Sequence, residues 1–298
     1  MLEKNIMPEI INTYIIPTLN NYKGLKRLLE TLEKYTEQNY RVIVIHNGFT
    51  FDSPDKDLIP EIKKKTHLWI DSYKNLGFAK SMNTGIRIAD TPFITCANDD
   101  VEILYQGWWD EIMNNFKERP QLMGFNPHSP CNKMHTGDRV IEYPYKEEYN
   151  EDDIRKMKEF FTGQKFYVGC CTYFTIFKRQ LFQEIGLFDE SFGQGSGEDY
   201  DLMVRAAKKD YVIAGGSSTM VFHWWGATKD NMPKTADGSI SNYALIDIGN
   251  QNMERKWGKH IDKDPNGWTV GGKGGPDEPF DKEKIKYPQD KWYQIVPL

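Results

Sequence analysis

A chain of 298 residues can bury a full core, and a composition that is 39% hydrophobic and 27% charged is that of a globular protein, not a disordered one. The formal net charge of -5 argues against a nucleic-acid binder, which needs a basic face to hold phosphates, but leaves room for a local basic pocket that takes a diphosphate. Cys96, Cys131, Cys170 and Cys171 form no CxxC pair and read as reduced core thiols. Residues 1–5 lack a signal-peptide pattern and no apolar run reaches membrane-span length, so a cytoplasmic protein is expected, with peripheral membrane contact left open.

In chain order, the apolar run at 10–16 predicts a buried strand ending at Pro17-Thr18, after which Leu25, Leu28, Leu29 and Leu32 recur at helical spacing. A second buried strand at 42–45 closes on the turn signal His46-Asn47-Gly48, and 52–65 reads as loop with a short helix. Then follow a strand at 67–70, a helix at 79–89, a strand at 93–97, a helix at 108–116 and a strand at 121–125. Strands separated by helical runs predict an α/β protein with a mostly parallel, Rossmann-like central sheet flanked by helices. The polar, aromatic stretch 126–153 has no period, and a loop of that length is a candidate substrate lid.

Strand material at 165–177, helices at 179–185 and 199–208, and strands at 211–214 and 219–223 complete the pattern. Beyond Gly226 the composition changes. Asp230-Asn231-Met232-Pro233-Lys234 breaks structure, 243–257 is helical and 271–279 irregular. The chain therefore divides into a main domain at 1–228, its two halves meeting near 100, and a C-terminal extension at 229–298.

Three short segments carry the chemistry. Gly197-Glu198-Asp199-Tyr200-Asp201-Leu202 sets three carboxylates at a helix start, where an ionised base can stand beside a pocket, although acids there also cap free N–H groups. Val221-Phe222-His223-Trp224-Trp225-Gly226 ends a strand on an imidazole suited to a metal, a packed histidine being the ordinary alternative. Asn98-Asp99-Asp100 closes the strand at 93–97 at its carboxyl end, where open α/β sheets bind ligands, unless it is simply a turn.

With those residues in view, the chain resembles the family 2 glycosyltransferases of GT-A fold, nearest to the bacterial rhamnosyltransferase-like group, over residues 10–226. Ile15-Ile16-Pro17-Thr18-Leu19-Asn20 looks like the family's opening strand and nucleotide-contacting turn. The run from Asn75-Leu76-Gly77-Phe78-Ala79 to Asn83-Thr84-Gly85-Ile86-Arg87 follows its Asn-x-Gly-Phe-Ala…Asn-x-Gly-Ile motif. Asn98-Asp99-Asp100 sits where the Asp-x-Asp metal motif stands, and Gly186-Leu187-Phe188-Asp189-Glu190 with Glu198 to Leu202 resembles the Gly-x-Phe-Asp-Glu and Glu-Asp-x-Asp-Leu pair.

The resemblance implies inverting transfer of a hexosyl or deoxyhexosyl unit from a nucleotide-diphosphate sugar to the hydroxyl of a glycan, lipid-linked glycan or other acceptor, as in polysaccharide biosynthesis. It implies a divalent cation, Mn2+ or Mg2+, on Asp100 and His223, and Asp199 as general base beside Glu198. Pro17, Thr18, Asn20, Asn47, Asn75, Gly77, Lys80, Asn83, Asn98 and Asp99 would line the donor, and Asp201, Trp224 and Trp225 the acceptor. Three departures leave the nucleotide base and the sugar open: His46-Asn47 where an acid is common, Asn98 for the first acid of the metal motif, and Lys80 for a small residue.

Two other readings compete. A sugar-nucleotide nucleotidyltransferase would carry a glycine-rich basic loop after the first strand, which Pro17-Thr18-Leu19-Asn20-Asn21 is not. A non-catalytic nucleotide-sugar or glycan-binding module would have lost acids that Asp99, Asp100 and Asp199 supply.

Overall fold

A computed structural model describes residues 9–47, 55–129, 146–161, 167–168, 172–224, 242–257, 263–264 and 267–268. Its elements are β1 (Asn12–Thr18), α1 (Tyr22–Tyr35), β2 (Tyr40–Asn47), α2 (Ile59–Lys64), β3 (Leu68–Ser72), α3 (Gly77–Ile88), β4 (Phe93–Ala97), β5 (Val101–Ile103), α4 (Trp108–Glu118) and β6 (Leu122–His128). They continue with α5 (Glu151–Phe161), β7 (Tyr167–Val168), β8 (Phe174–Lys178), α6 (Arg179–Ile185), α7 (Glu198–Ala207), β9 (Val212–His223) and α8 (Asn242–Trp257), and end in a separate two-stranded ladder, β10 (Lys263–Asp264) and β11 (Gly267–Trp268).

The main sheet runs in the order β3-β2-β1-β4-β8-β6-β9-β5, with β7 beside β9. Residues of β1 alternate between faces. Tyr14 and Ile16 point to a core shared with Leu25, Leu28 and Leu32 of α1 and Trp108 of α4, whereas Ile15 points to one shared with Met82 of α3, Phe182 of α6 and Leu202 of α7. Both faces being covered explains why β1 and β2 read as continuous apolar runs. On α1 the buried side chains are Tyr22, Leu25, Leu28, Leu29 and Leu32, one helical stripe, and Asn21 caps the helix by accepting the Gly24 N–H.

The parallel character expected from the sequence holds from β3 through β4. It is corrected beyond: β4 with β8, β8 with β6 and β9 with β5 are antiparallel, so the sheet is mixed. Alternating helices and strands announce parallel crossovers only, and β5 and β8 enter the sheet without one. The two short strands expected at 211–214 and 219–223 are one strand, β9, with a register irregularity opposite Pro127 and His128. Gly215 and Gly216 interrupt its apolar pattern but still pair with Asn126 and Pro127, and the register shifts just after them. Of the lid expected at 126–153, residues 126–128 belong to β6 and 151–153 to α5, and residues 130–145 lie outside the described ones. Among the described residues no helix is long and apolar enough to cross a membrane.

Candidate active site

The short β5–β9 ladder builds the first part of the site. Val101 pairs with His223 in antiparallel register and the Trp224 N–H donates to the Asp100 carbonyl, which sets the side chains of Asp100 and His223 against each other. His223 Nε2 lies 3.1 Å from Asp100 Oδ1, and both side chains are almost wholly shielded from water. The imidazole is stacked on the ring of Tyr173, and the His223 N–H donates to Ser129 Oγ at 3.2 Å. Among the described residues no group of three or more His, Cys, Asp or Glu side chains is placed to hold a metal. Asp100 and His223 offer one carboxylate oxygen and one imidazole nitrogen, a donor pair that suits a divalent cation whose other positions are filled by ligand oxygens or water.

Asp99, expected to line the donor, is held by the protein's own side chains. Its carboxylate is buried and accepts the Thr18 hydroxyl at 2.8 Å and the Asn21 amide at 3.2 Å. Asp99 and Thr18 thereby pin the end of β1 to the end of β4. A Cβ on Gly24 would stand 2.5 Å from the Asp99 carbonyl, so α1 needs glycine there to approach this closely. Pro17, Asn20 and Asn98 remain half-buried at the same end of the sheet, and the Asn98 N–H donates to the Tyr173 carbonyl at 2.7 Å.

At the ends of β2 and β3 the amide of Asn47 is spent within the protein, donating to Asn75 Oδ1 at 2.9 Å and accepting the Leu76 N–H at 2.6 Å. Asn75 Oδ1 also accepts the Gly77 N–H. Gly77 has φ +74°, and a Cβ there would fall 2.5 Å from the Gly193 carbonyl. The Phe78 N–H donates to the Gln194 carbonyl at 3.1 Å, so the start of α3 is docked on the glycine-rich turn before α7. Asn83, expected at the donor, is fully buried, donating to the Phe188 carbonyl and Glu190 and accepting the Phe188 N–H. Lys80 is exposed on α3.

At His46, the next strand brings an acid against β2. His46 is buried between Tyr22 and Trp69, with Nε2 2.8 Å from the Tyr22 hydroxyl and Nδ1 2.7 Å from Asp71 Oδ1. Burial opposes ionisation of Asp71, but hydrogen bonds from His46 and Trp69 and the nearby Lys63 outweigh it and hold the carboxyl below its usual range. Asp71 was not singled out from the sequence. The acid and its histidine come from neighbouring strands, and only the β2–β3 register of His46 with Asp71 joins them.

The third part is the start of α7. Ser196 at φ 81° and Gly197 at φ 94° turn the chain sharply into the helix. Glu198 is buried and its Oε2 has no hydrogen-bond partner among the described residues. Desolvation chiefly, with the Asp199 carboxylate adding, pushes Glu198 up to about 8. Asp199 is half-buried, accepts the Tyr200 N–H at 2.9 Å and a backbone hydrogen bond from Thr172, and is pushed up to about 6 by desolvation. Asp201, expected at the acceptor, is fully buried. Its oxygens meet Arg205 Nε at 2.9 Å, Lys256 Nζ at 2.5 Å and the Trp257 indole N–H at 2.9 Å. Trp224 is 37% exposed, its indole N–H donating to Glu102 and one face covered by Arg27 at 5.0 Å. Trp225 lies outside the described residues.

Comparison with known proteins adds the following. The profile described as Glycosyl transferase family 2 matches residues 13–186. An uncharacterised glycosyltransferase of Bacillus subtilis strain 168, YwdF, is 23% identical over 220 residues, which are 73% of this chain and 75% of that protein. Among solved structures, GalNAc-T7 with UDP, GalNAc and Mn2+ superposes with a TM-score of 0.59 at 13% identity over 84% of this chain. The chain spans 48% of that protein's length. Residues 1–349 of S. aureus TarS superpose with a TM-score of 0.50 at 14% identity, over 82% of this chain and 72% of the other. The likeness is one of GT-A fold.

Proposed function

This chain belongs to glycosyl transferase family 2, and from that premise we propose that it moves a sugar from a nucleoside-diphosphate sugar to an acceptor hydroxyl in a single inverting displacement. The observation that carries the reading is the state of Asp199, a half-exposed carboxylate at the mouth of α7 with its pKa raised to about 6. A base so tuned is ionised at neutral pH yet basic enough to accept a hydroxyl proton. Further support comes from the backbone: Asp199 is bonded to Thr172, and the next residue, Tyr173, stacks on His223.

In this mechanism Asp199 takes the acceptor's proton as its oxygen attacks the anomeric carbon. The bond from that carbon to the diphosphate oxygen breaks, and the nucleoside diphosphate leaves on the opposite face. Glu198, whose pKa burial raises to about 8, would be neutral at pH 7 and would donate to a substrate hydroxyl. Asp100 and His223 would hold the divalent cation, Mn2+ or Mg2+, which offsets the charge growing on the leaving diphosphate. Pro17, Asn20, Asn75 and Asn98 present half-buried surface to the nucleotide at the carboxyl end of the parallel strands, with Trp224 as a ring face for the acceptor. The solved relative holding UDP, GalNAc and Mn2+ supports this assignment of donor and metal by fold. On the resemblance of the 75–87 motif, the proposed donor is a hexosyl or deoxyhexosyl nucleotide and the proposed group the rhamnosyltransferase-like one.

The test is a panel of nucleoside-diphosphate sugars incubated with Mn2+ and glycan acceptors, with the product's anomeric configuration read by NMR. Transfer with inversion is expected. Retention of configuration, or no release of nucleoside diphosphate from any donor, overturns the proposal.

A further inference from the structure

Helix α8 begins more than fifty residues after the family match ends at 186, yet one of its side chains reaches the turn that carries the base. Lys256 is almost completely buried. Its ammonium lies 2.6 Å from Asp189 Oδ2 and 2.5 Å from Asp201 Oδ1. Those two acids flank the glycine-rich turn. Asp189 caps the short 3-10 turn Glu190–Phe192 by accepting the Ser191 N–H, and Asp201 sits in the first turn of α7. The remaining Asp201 oxygen is bonded to Arg205, whose guanidinium also donates to the carbonyls of Ile185 and Leu187. Two cations thus balance two acids inside the core: Arg205 ties α7 to the backbone before the turn, and Lys256 joins the two acids themselves.

The same helix touches the turn itself. A Cβ on Gly249 would fall 2.5 Å from the Ser196 carbonyl, and the Gly249 carbonyl lies 3.2 Å from where a Cβ of Gly197 would stand. Trp257 adds a bond to Asp201 and, with Phe192, surrounds the Lys256 ammonium with ring faces. A glycine-rich turn has little stiffness of its own, so its ends set where Glu198 and Asp199 stand.

We propose that Lys256 is a positioning residue of this enzyme: by clamping Asp189 to Asp201 it closes the glycine-rich turn and holds Asp199 in line with the acceptor. The proposal rests on the function proposed above, and α8 is then part of the catalytic unit despite lying outside the family match. Lys256 touches no substrate. Its effect is on the geometry of the base, and a displacement of the order of 1 Å in such a group can cost about a hundredfold in rate.

Lys256→Met alone strands two buried acids, so the decisive variant is the charge-balanced double, Asp189→Asn with Lys256→Met. Hydrogen exchange needs no substrate: the amides of 193–201 are expected to lose protection by about tenfold or more while those of α1 and α3 keep theirs. In transfer assays the same variant is expected to lose about tenfold or more in kcat with the donor KM within about threefold of the parent. Unchanged protection at 193–201, parental kcat in the folded double variant, or loss of protection throughout the chain each overturns the proposal. A parent that transfers no sugar overturns the function instead, and leaves the exchange measurement to decide the clamp.

Discussion

The ring of Tyr173 lies flat against the imidazole of His223, centroids 4.5 Å apart and planes 6° from parallel. The stack ties His223 to the turn that precedes β8. The Tyr173 carbonyl accepts the Asn98 N–H, its hydroxyl donates to the Pro127 carbonyl, and the preceding residue bonds to Asp199. One dipeptide, Thr172-Tyr173, therefore spans the two halves of the proposed chemistry.

Replacing Tyr173 with Ala should free the imidazole and raise the Mn2+ concentration needed for half-maximal transfer by about tenfold, the usual scale for losing a group that orients a ligand. Tyr173→Phe keeps the stack and should shift it far less. Metal titrations of the two variants side by side check this; equal shifts would show that the hydroxyl, not the ring, matters.

His223→Ala removes a nitrogen from the Asp100 pair and should weaken metal binding and transfer by about ten- to a hundredfold. Excess chelator should abolish turnover of the unmodified protein. Full activity in chelator would sink the metal assignment.

The raised pKa of Asp199 gives a pH profile with a defined sign. The base works only as the carboxylate, so kcat/KM should climb with pH and level off above about 6. Asp199→Asn should lose the limb and about a hundredfold or more in kcat, with donor affinity nearly intact. If Asp199→Asn stays active while Glu198→Gln is dead, the base is the neighbouring carboxylate.

Glu198 makes the opposite kind of prediction, about stability. Its folded pKa of about 8 lies above the ordinary 4.5, so the fold favours the neutral acid. Nothing is lost below the unfolded value, and stability falls as pH rises from there toward the folded one. Glu198→Gln should match the parent near about pH 5 and resist denaturant better near about pH 8, the direction set by linkage. Urea melts at the two pH values decide it; equal midpoints at the higher pH would mean that the carboxylate is solvated.

The alternation and spacing of apolar residues were enough to read the parallel half of the sheet and the helices that cover it, because burial on both faces of β1 and on one stripe of α1 is a local pattern. The motifs likewise singled out Asp100, Asp199 and His223 as candidates, since their residue types suit the proposed chemistry wherever they stand. What a side chain faces is a matter of packing across long separations. Asp201 was legible as an acid at a helix start, but its bonds to Lys256 and Trp257, more than fifty residues on, depend on where α8 docks. Asn83 and Asp99 looked equally ready for a ligand, and the tertiary structure spends both on its own backbone and hydroxyl groups. Asp71 shows the converse, an acid with no motif of its own that the β2–β3 register sets against His46. A polar group's chemistry is written in its residue type, whereas its availability is decided only when distant segments have satisfied, or failed to satisfy, its hydrogen bonds.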